Sequence, residues 1–317
     1  MDVISIGETM VMFTPDTHGQ MRYARNFSAR IAGAETNTLI GLAKLGHQTG
    51  WISRVGKDEF GSLILSAVRG EGVDISQVIV DEEAPTGICF KEIINEKNIQ
   101  IYYYRKYSAA SSLSPNDINE DYIASAKYLY LTGITPALSQ SCRDSVFYAI
   151  QIAKKHDKKV IFDPNVRRKL WKEEEARQIL LSIAEMSDIV LPGVSEGKFL
   201  FGTDDCEEIS NLFHQRGVES VIVKRGEKGA YYSTPFEKGY VKGIKVEKVV
   251  DPVGAGDGFA AGVLSGLLDG LNFEESVARG CAIGAMVTTV SGDIEGLPNR
   301  EMLEIFINSS EKDDVVR

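Results

Sequence analysis

The sequence has few of the features that mark secreted, membrane-spanning or nucleic-acid-binding proteins. Its four cysteines lie far apart and include no Cys-x-x-Cys pair, which argues against a secreted disulfide framework. No run of about 18 residues is continuously apolar, so no membrane-spanning helix is expected. Basic residues are in deficit, since 35 Lys and Arg against 45 Asp and Glu give a formal charge of −10. This charge argues against nucleic acid or an anionic membrane as the main partner, and it is compatible with one small anionic ligand in a locally positive pocket.

The chain also lacks any segment that would divide it. It has no internal repeat, low-complexity tract or linker rich in Pro, Gly and Ser, and no basic leader precedes an apolar stretch in residues 1–7. We therefore expect one cytoplasmic protein with a single domain over residues 1–317. Hydrophobic residues make up 43% and charged residues 25%, as is ordinary for a soluble globular protein.

Short apolar runs alternate with stretches of helical spacing along most of the chain. The predicted strands are residues 3–7, 48–55, 128–132, 159–163, 189–192 and 220–224. The predicted helices are residues 33–46, 60–71, 139–156, 173–186 and 206–216. This alternation predicts an α/β fold with a mostly parallel sheet that helices cover on both faces. The ligand crevice of such a sheet lies beyond the carboxyl ends of its strands.

Two segments, residues 10–31 and 85–107, break this alternation and are expected to form a small β-sheet lid of extended hairpins. In the second segment, the period of two puts Tyr103 and Arg105 on the same face. Two interpretations fit: a flap that carries both side chains toward the crevice, or a solvated sheet whose aromatic residues pack on each other. Unpaired lid edges would favour a homo-oligomer formed through the lid.

The strongest motif is the segment of residues 251–259, D-P-V-G-A-G-D-G-F, which a run of small residues follows. Gly254 and Gly256 permit a tight turn in which backbone N–H groups approach an anion closely. The following run is helical, so these groups lie at the positive end of a helix. The small residues at 260–262 are expected to let that helix lie close to the sheet. Two roles fit Asp257: a base that takes a proton from an attacking hydroxyl, or an N-cap of the helix.

This segment closely resembles the second signature of the ribokinase-like, or PfkB, family of sugar kinases. Four further segments resemble that family in the same order, from about residue 3 to about residue 305: residues 33–37, 54–61, 163–167 and 224–229. The resemblance implies a ribokinase-like three-layer α/β/α sandwich with a β lid. It also implies ATP as the phosphoryl donor and Mg²⁺ as a cofactor, and it leaves open a monovalent cation as a further activator.

The resemblance implies roles for individual residues of the catalytic and nucleotide sites. Asp257 would be the catalytic base, beside an anion hole formed by the backbone of Gly254, Ala255 and Gly256. The nucleotide site would comprise Asn165, Arg167, Lys224, Arg225, Gly226, Gly229, Gly254 and Gly256. Glu196 would hold Mg²⁺ through water, although Gly193 stands where many members have Asn. The alternative for Glu196 is a solvated residue at a helix start.

Local charge suggests the class of sugar. Arg105 and Arg167 would face one crevice, and a guanidinium pairs with a carboxylate by charge-assisted hydrogen bonds, which favours a sugar acid. Glu8 follows the first strand, where many members that bind neutral sugars have Asp. Residues 103–106, 131–139, 170–171 and 291–293 resemble the branch of the family that phosphorylates 2-keto-3-deoxygluconate at its terminal C6 hydroxyl.

That resemblance implies a set of sugar-acid contacts and leaves three points open. The implied contacts are Gly33, Asn37, Tyr103, Arg105, Arg167, Asp257 and Asp293. Asp293 also fits a simple turn residue after Gly292, and Cys89 stands where some relatives have Tyr. A kinase of a neutral sugar such as fructose or ribose, or a catalytically silent relative that only binds sugar or nucleotide, is the alternative function.

Overall fold

The computed structural model describes residues 1–95 and 98–315. Its strands are β1 (Val3–Ile6), β2 (Met10–Pro15), β3 (Phe27–Ala32), β4 (Thr49–Gly56), β5 (Asp74–Asp81), β6 (Ile88–Asn95), β7 (Asn98–Tyr104), β8 (Tyr128–Thr132), β9 (Lys159–Asp163), β10 (Ile189–Val190), β11 (Ser220–Lys224), β12 (Ala230–Ser233) and β13 (Lys238–Val241). Its helices are α1 (Ala34–Lys44), α2 (Glu59–Gly70), α3 (Glu120–Ala124), α4 (Gln140–Lys155), α5 (Glu173–Glu185), α6 (Val194–Phe201), α7 (Cys206–His214), α8 (Ala255–Leu268), α9 (Phe273–Val287) and α10 (Arg300–Val315). None of the helices in the described part of the chain is long and apolar enough to cross a membrane.

A nine-stranded sheet with the order β13-β12-β11-β10-β9-β8-β1-β4-β5 forms the centre of the molecule. The strands from β11 to β5 in that order run parallel, and β12 and β13 are added antiparallel at one edge. Every residue of β1 is buried, as expected for a strand covered on both faces. The predicted mostly parallel sheet is confirmed.

Two hydrophobic cores lie on opposite faces of this sheet and make the molecule a three-layer sandwich. On one face the helices contribute Leu39, Ile64, Val263, Ile283 and Leu303. On the other face they contribute Ile123, Val146, Leu180, Leu200 and Ile209. The apolar stripes of α1, α2 and α8–α10 therefore cover one face, and those of α3–α7 cover the other.

Helix α8 packs against neighbouring helices more closely than the sequence analysis expected. A Cβ atom added at Gly262 would lie 2.7 Å from the Gly280 Cα of α9. One added at Gly41 of α1 would lie 2.8 Å from the Ala261 Cβ. The sequence analysis expected the small residues of α8 to bring the helix close to the sheet. The structure shows instead that positions 261 and 262 set the distances from α8 to α1 and α9.

A second sheet with the order β3-β2-β6-β7 lies apart from the central one. Strand β2 pairs antiparallel with β3 and parallel with β6, and β6 pairs antiparallel with β7. Its inner face comprises Met10, Met12, Ala32, Cys89, Ile101 and Tyr103. Its outer face carries ring contacts among Phe13, Phe27, Phe90 and Tyr104. Both interpretations of the segment therefore hold, one for each face; residues 96 and 97 lie outside the described residues.

Candidate active site

A cavity of about 340 Å³ lies between the two sheets. Its floor is formed where the strands of the central sheet end: Glu8 follows β1, Ile134 follows β8, Asn165 follows β9 and Lys224 ends β11. The inner face of the small sheet forms its roof. This is the crevice beyond the carboxyl ends of the strands that the fold class predicts.

The start of α8 forms one wall of this cavity. Gly254 is the N-cap residue and has φ +82°, a conformation that favours glycine. A Cβ atom added there would lie 2.7 Å from the backbone oxygen of Asp293, which also requires glycine. Gly254 and Gly256 line the cavity, and the amides of the first turn have no partner within an α-helix. Asp257 is the third helical residue and makes no capping bond, so the N-cap role considered for it is wrong.

The Asp257 carboxylate is buried and held in place by α1. Its Oδ2 atom accepts a hydrogen bond of 2.8 Å from Asn37 Nδ2. Burial raises the pKa of Asp257 to about 7; Asp293 and Asp163 add to this rise, and the Asn37 hydrogen bond and Arg167 oppose it. A carboxylate with a pKa near 7 is well matched to accept a proton at neutral pH.

Asp293 lies on the other side of Asn37. Asn37 Nδ2 is 3.5 Å from Asp293 Oδ2, so one amide bridges two carboxylates. Burial raises the pKa of Asp293 to about 6. Asp293 Oδ1 and Asn37 Oδ1 are buried, line the cavity region and have no hydrogen-bond partner in the described part of the chain. Such orphaned acceptors in a polar cavity are suited to ligand hydroxyl groups.

Arg105, which follows lid strand β7, and Glu8 of the cavity floor form a buried ion pair. Arg105 Nε donates to Glu8 Oε2 at 2.5 Å, and Ser108 Oγ donates to Glu8 Oε1 at 2.5 Å. The guanidinium also lies 5.5 Å from the centre of the Tyr103 ring. Glu8 therefore already compensates the charge of Arg105. The sequence analysis expected two arginines available to a ligand carboxylate, and the structure leaves the charge of Arg105 paired.

Arg167 is the cation of the cavity whose charge remains uncompensated. It follows β9, is exposed to solvent and lines the cavity. Its guanidinium has no hydrogen bond or ion pair with any side chain in residues 1–95 and 98–315. A ligand carboxylate or phosphate would therefore find its strongest attraction at Arg167.

A second cavity adjoins the first at Lys224 and is lined by the turn after β11. Lys224 Nζ lies 2.5 Å from Asp163 Oδ2. Arg225 and Gly226 line this second cavity, with Arg225 over the ring of Tyr240. Gly229 lines neither cavity; with φ +88° it lets the turn pass against the backbone oxygen of Val241, 2.1 Å from where a Cβ would lie. The sequence analysis placed Gly229 among the nucleotide contacts. In the structure its role is to shape the turn, since its positive φ and lack of a side chain allow the close approach to Val241.

Glu196 lines the first cavity from the first turn of α6, so it does stand at a helix start, as the alternative expected, but its carboxylate is not freely solvated. Its Oε1 accepts from the Val166 N–H at 2.9 Å, and its Oε2 accepts from the Gly193 N–H at 2.6 Å. Burial raises its pKa, and Lys224 opposes this. The amide of Gly193 thus supports the carboxylate although the family's common Asn side chain is missing.

The donor set suits a magnesium ion that arrives with a nucleotide. The described residues contain no cluster of three or more His, Cys, Asp or Glu side chains that could hold a metal alone. Mg²⁺ in kinases is usually held by phosphates, waters and one or two carboxylates, and Asp163 and Glu196 both line the cavity. These residues fit such an ion.

Sequence reasoning missed two buried ion pairs, Glu8–Arg105 and Lys91–Asp251. A signal was present for Lys91 alone, because a charged residue inside an apolar strand is rarely buried without a partner, although the signal does not say which residue that partner is. Lys91 follows Cys89 by two positions and therefore shares its inward face.

Comparisons with known proteins extend over nearly the whole chain. The family model described as "pfkB family carbohydrate kinase" matches residues 1–300. The 2-dehydro-3-deoxygluconokinase of Bacillus subtilis (strain 168) is 41% identical, over 98% of this chain and 96% of its own. The 5-dehydro-2-deoxygluconokinase of the same organism is 33% identical, over 97% and 96%.

A solved structure extends the likeness to the fold. An E. coli protein assigned as a ribokinase II, in complex with ATP and Mg²⁺, superposes with a TM-score of 0.91 and 28% identity, over 97% of this chain and 99% of its own. The fold is therefore ribokinase-like, with a large parallel sheet and a smaller lid sheet. Since both the family model and the relatives span nearly all of it, the chain belongs to the pfkB family of carbohydrate kinases.

Proposed function

We propose that this protein transfers the γ-phosphoryl group of ATP to the terminal C6 hydroxyl of 2-keto-3-deoxygluconate and yields 2-keto-3-deoxy-6-phosphogluconate. The observation that carries the proposal is the buried Asp257 carboxylate beside the free amides of the α8 N-terminus, in a cavity with one uncompensated cation. The similarity to a 2-dehydro-3-deoxygluconokinase supports this choice of substrate.

The cavity suggests how the sugar acid is oriented. Its carboxylate is attracted to Arg167, and Arg105, whose charge Glu8 compensates, adds hydrogen bonds with Tyr103 beside it. The free oxygens of Asp293 and Asn37 accept from sugar hydroxyls. The terminal hydroxyl then lies toward Asp257, with Gly33 in the cavity wall.

Asp257 begins the chemical step as a general base. Asn37 holds its Oδ2 atom, which leaves Oδ1 to accept the hydroxyl proton. The sugar oxygen forms a bond to the γ-phosphorus while the bond from that phosphorus to the β,γ-bridging oxygen breaks, so ADP leaves. The amides of residues 254–257 stabilise the charge on the phosphoryl oxygens.

The nucleotide is placed along the second cavity, with its phosphates toward Lys224, Asn165 and Arg167. Glu196 would hold through water the Mg²⁺ that arrives with the nucleotide, and the ion would supply positive charge to the phosphates. The family resemblance leaves a monovalent activator open, and a titration of turnover with potassium and sodium salts decides it.

We also propose that two copies associate through the outer face of the lid. Phe27 and Tyr104 are 37% and 64% exposed there, beside the rings of Phe13 and Phe90. Apolar aromatic surface of this kind is typical of protein interfaces.

One observation favours a second candidate, a kinase of a neutral sugar. Glu8 neutralises Arg105, so the cavity offers a carboxylate one free cation where the sequence suggested two. A neutral sugar would need neither. A catalytically silent relative is disfavoured, because the base and the helix N-terminus that a phosphoryl transfer needs are both present.

A substrate panel decides between these candidates. ADP release would be measured with ATP-Mg and each of 2-keto-3-deoxygluconate, its galactonate epimer, 5-keto-2-deoxygluconate, fructose and ribose. We expect the highest kcat/KM for a keto-deoxy acid. Strong turnover of fructose or ribose with none of the acids would overturn the proposed substrate in favour of the neutral sugar.

A further inference from the structure

A lysine of the lid is buried against the loop that leads into α8. Lys91 lies in β6, its side chain is 2% exposed, and its Nζ atom is 2.5 Å from Asp251 Oδ2. The Asp251 side chain is 5% exposed. Since buried lysine is rarely tolerated without a partner, the contact is a specific one.

Asp251 joins two segments that carry site residues. Its Oδ1 atom accepts from the Val253 N–H at 3.1 Å, within the turn that leads to Gly254. Its Oδ2 atom also accepts from the Gly292 N–H at 3.3 Å, next to Asp293. One carboxylate therefore fixes the anion-hole turn and the Asp293 segment relative to each other.

The ammonium of Lys91 compensates the charge of that carboxylate in a place where little water reaches either group. Asp251 is the hydrogen-bond acceptor recorded for Lys91 Nζ in the described part of the chain. Arg30 of the lid also contacts this region, at Ser291 and Glu295, but the side chains of Arg30 and Glu295 are about one-third exposed. Solvent therefore screens that ion pair and weakens it. Lys91 is thus the buried charged link between the lid and the anion hole.

We propose that Lys91 is a positioning residue that holds Asp251, and through it the anion-hole turn, in the geometry for phosphoryl transfer when the lid is closed. This inference rests on the proposed kinase function. In this view the lid does more than cover the sugar, because its own cation completes the loop on which the transition state depends.

The first test replaces Lys91 by methionine, which has similar length and no charge. We expect Lys91→Met to lower kcat by ~10-fold or more, less than the ~10²–10³-fold cost of removing an anion-hole donor outright. The KM for ATP should change little, because the second cavity is intact. Unchanged kcat would overturn the proposal. Lys154→Met, which breaks the ion pair with Asp188 on the far side of the sheet, is the matched control and should leave kcat unchanged.

Chemical rescue separates a missing charge from general damage. Ammonium or potassium ions are small enough to enter the space that the lysine head group leaves and can pair with Asp251. We expect either ion to restore part of the kcat of Lys91→Met while the unmodified chain responds far less. A variant that stays equally impaired at every concentration of both ions would contradict the role of the charge.

A double-variant cycle covers the case in which Lys91→Met folds poorly. Lys91→Met with Asp251→Asn removes both charges, so no buried carboxylate is left alone. We expect the double variant to lose no more kcat than the worse single variant. Losses that multiply would mean that the two residues act independently, against the proposal.

Cysteine alkylation gives a readout that needs no sugar phosphorylation. Cys89 faces the cavity two positions before Lys91 and is 1% exposed, and Cys142 is buried in the core on the other side of the sheet. In Lys91→Met we expect faster alkylation of Cys89 by peptide mass spectrometry and an unchanged rate at Cys142. Equal acceleration at both cysteines, or none at either, would overturn the link. If the unmodified protein phosphorylates nothing in the panel, the proposed function fails, whereas this readout still decides the role of Lys91.

Discussion

Asp257 shows how one residue can be suited to its chemistry and costly to the fold. Burial raises its pKa from 3.8 to about 7, which means that the folded state holds a proton that the unfolded state releases. The ionised carboxylate is therefore disfavoured in the folded protein. The contribution of Asp257 to the free energy of unfolding therefore falls as pH rises between about 4 and about 7 and then levels off.

The loss of stability as Asp257 ionises gives a prediction for Asp257→Asn. Asparagine keeps the shape and can accept from Asn37, but it cannot ionise, so we expect a higher Tm than the unmodified chain at pH 8 and no difference near pH 4. Thermal melts across that pH range measure it. Asp144→Asn, on the exposed surface of α4, should show no such pH-dependent gain. A lower Tm for Asp257→Asn at pH 8 would contradict the raised pKa.

The Glu8–Arg105 pair illustrates what residue types alone do not reveal. The sequence placed Arg105 in the crevice correctly but could not show that Glu8, 97 positions away, reaches it. Removing one partner of a buried pair typically costs about 3–5 kcal/mol, since it leaves the other charge alone.

We therefore predict that Arg105→Met lowers Tm strongly and that adding Glu8→Gln recovers part of that loss. In the double variant, the KM for the sugar acid should rise less than in Arg167→Met, because Arg167 carries the uncompensated charge. Melting curves and steady-state kinetics of these variants check both parts. Equal KM values for the double variant and for Arg167→Met would mean that binding of the sugar-acid carboxylate does not depend on Arg167.

At the scale of elements, helix α8 depends on close contacts that only glycine permits. We predict that Gly262→Ala lowers stability by about 1–3 kcal/mol, because its Cβ would overlap the backbone of α9. Gly70→Ala, at the end of α2 with no atom within 4 Å, is the matched control and should be neutral or slightly stabilising. Urea unfolding of both variants measures the difference, and equal effects would contradict the packing argument.

The elements that carry strong periodicity could be predicted, and the others could not. Residues 139–156 and 159–163 have clear patterns and match α4 and β9 closely. Strand β5 and the antiparallel edge strands β12 and β13 were not predicted. β5 and β13 are partly exposed and follow neither an apolar run nor a strict alternation, and β12 is buried but only four residues long. The alternation at Tyr103 and Arg105 predicted that they share a face of the lid, but it left open whether that face is turned toward the crevice.

For the whole molecule, the glycine turns and their order supported the family resemblance, which implied the fold and about half of the residues that line the first cavity. The cross-sheet pairings could not be predicted in this way. Lys91 and Asp251 are 160 positions apart, and the packing of the lid over the central sheet brings them together. Local spacing carries no information about such a contact.

The lid also makes a prediction about assembly. We expect a dimer in solution, and we expect Tyr104→Glu to shift it toward monomer, because a charge on the outer lid face would be buried in the interface. Analytical ultracentrifugation measures both. Tyr148→Glu, on an exposed face of α4, is the control. A chain that is monomeric before any substitution would contradict association through the lid.

The central claim is that Asp257 deprotonates the terminal hydroxyl of a sugar acid beside the amides of α8. Its most direct test is the rate and position of phosphorylation of 2-keto-3-deoxygluconate, followed by ADP release and ³¹P NMR for the unmodified chain and for Asp257→Asn. We predict a single 6-phosphate product and a loss of at least ~10²-fold in kcat for the variant. Near-normal turnover in Asp257→Asn, or phosphate on another hydroxyl, would contradict the account.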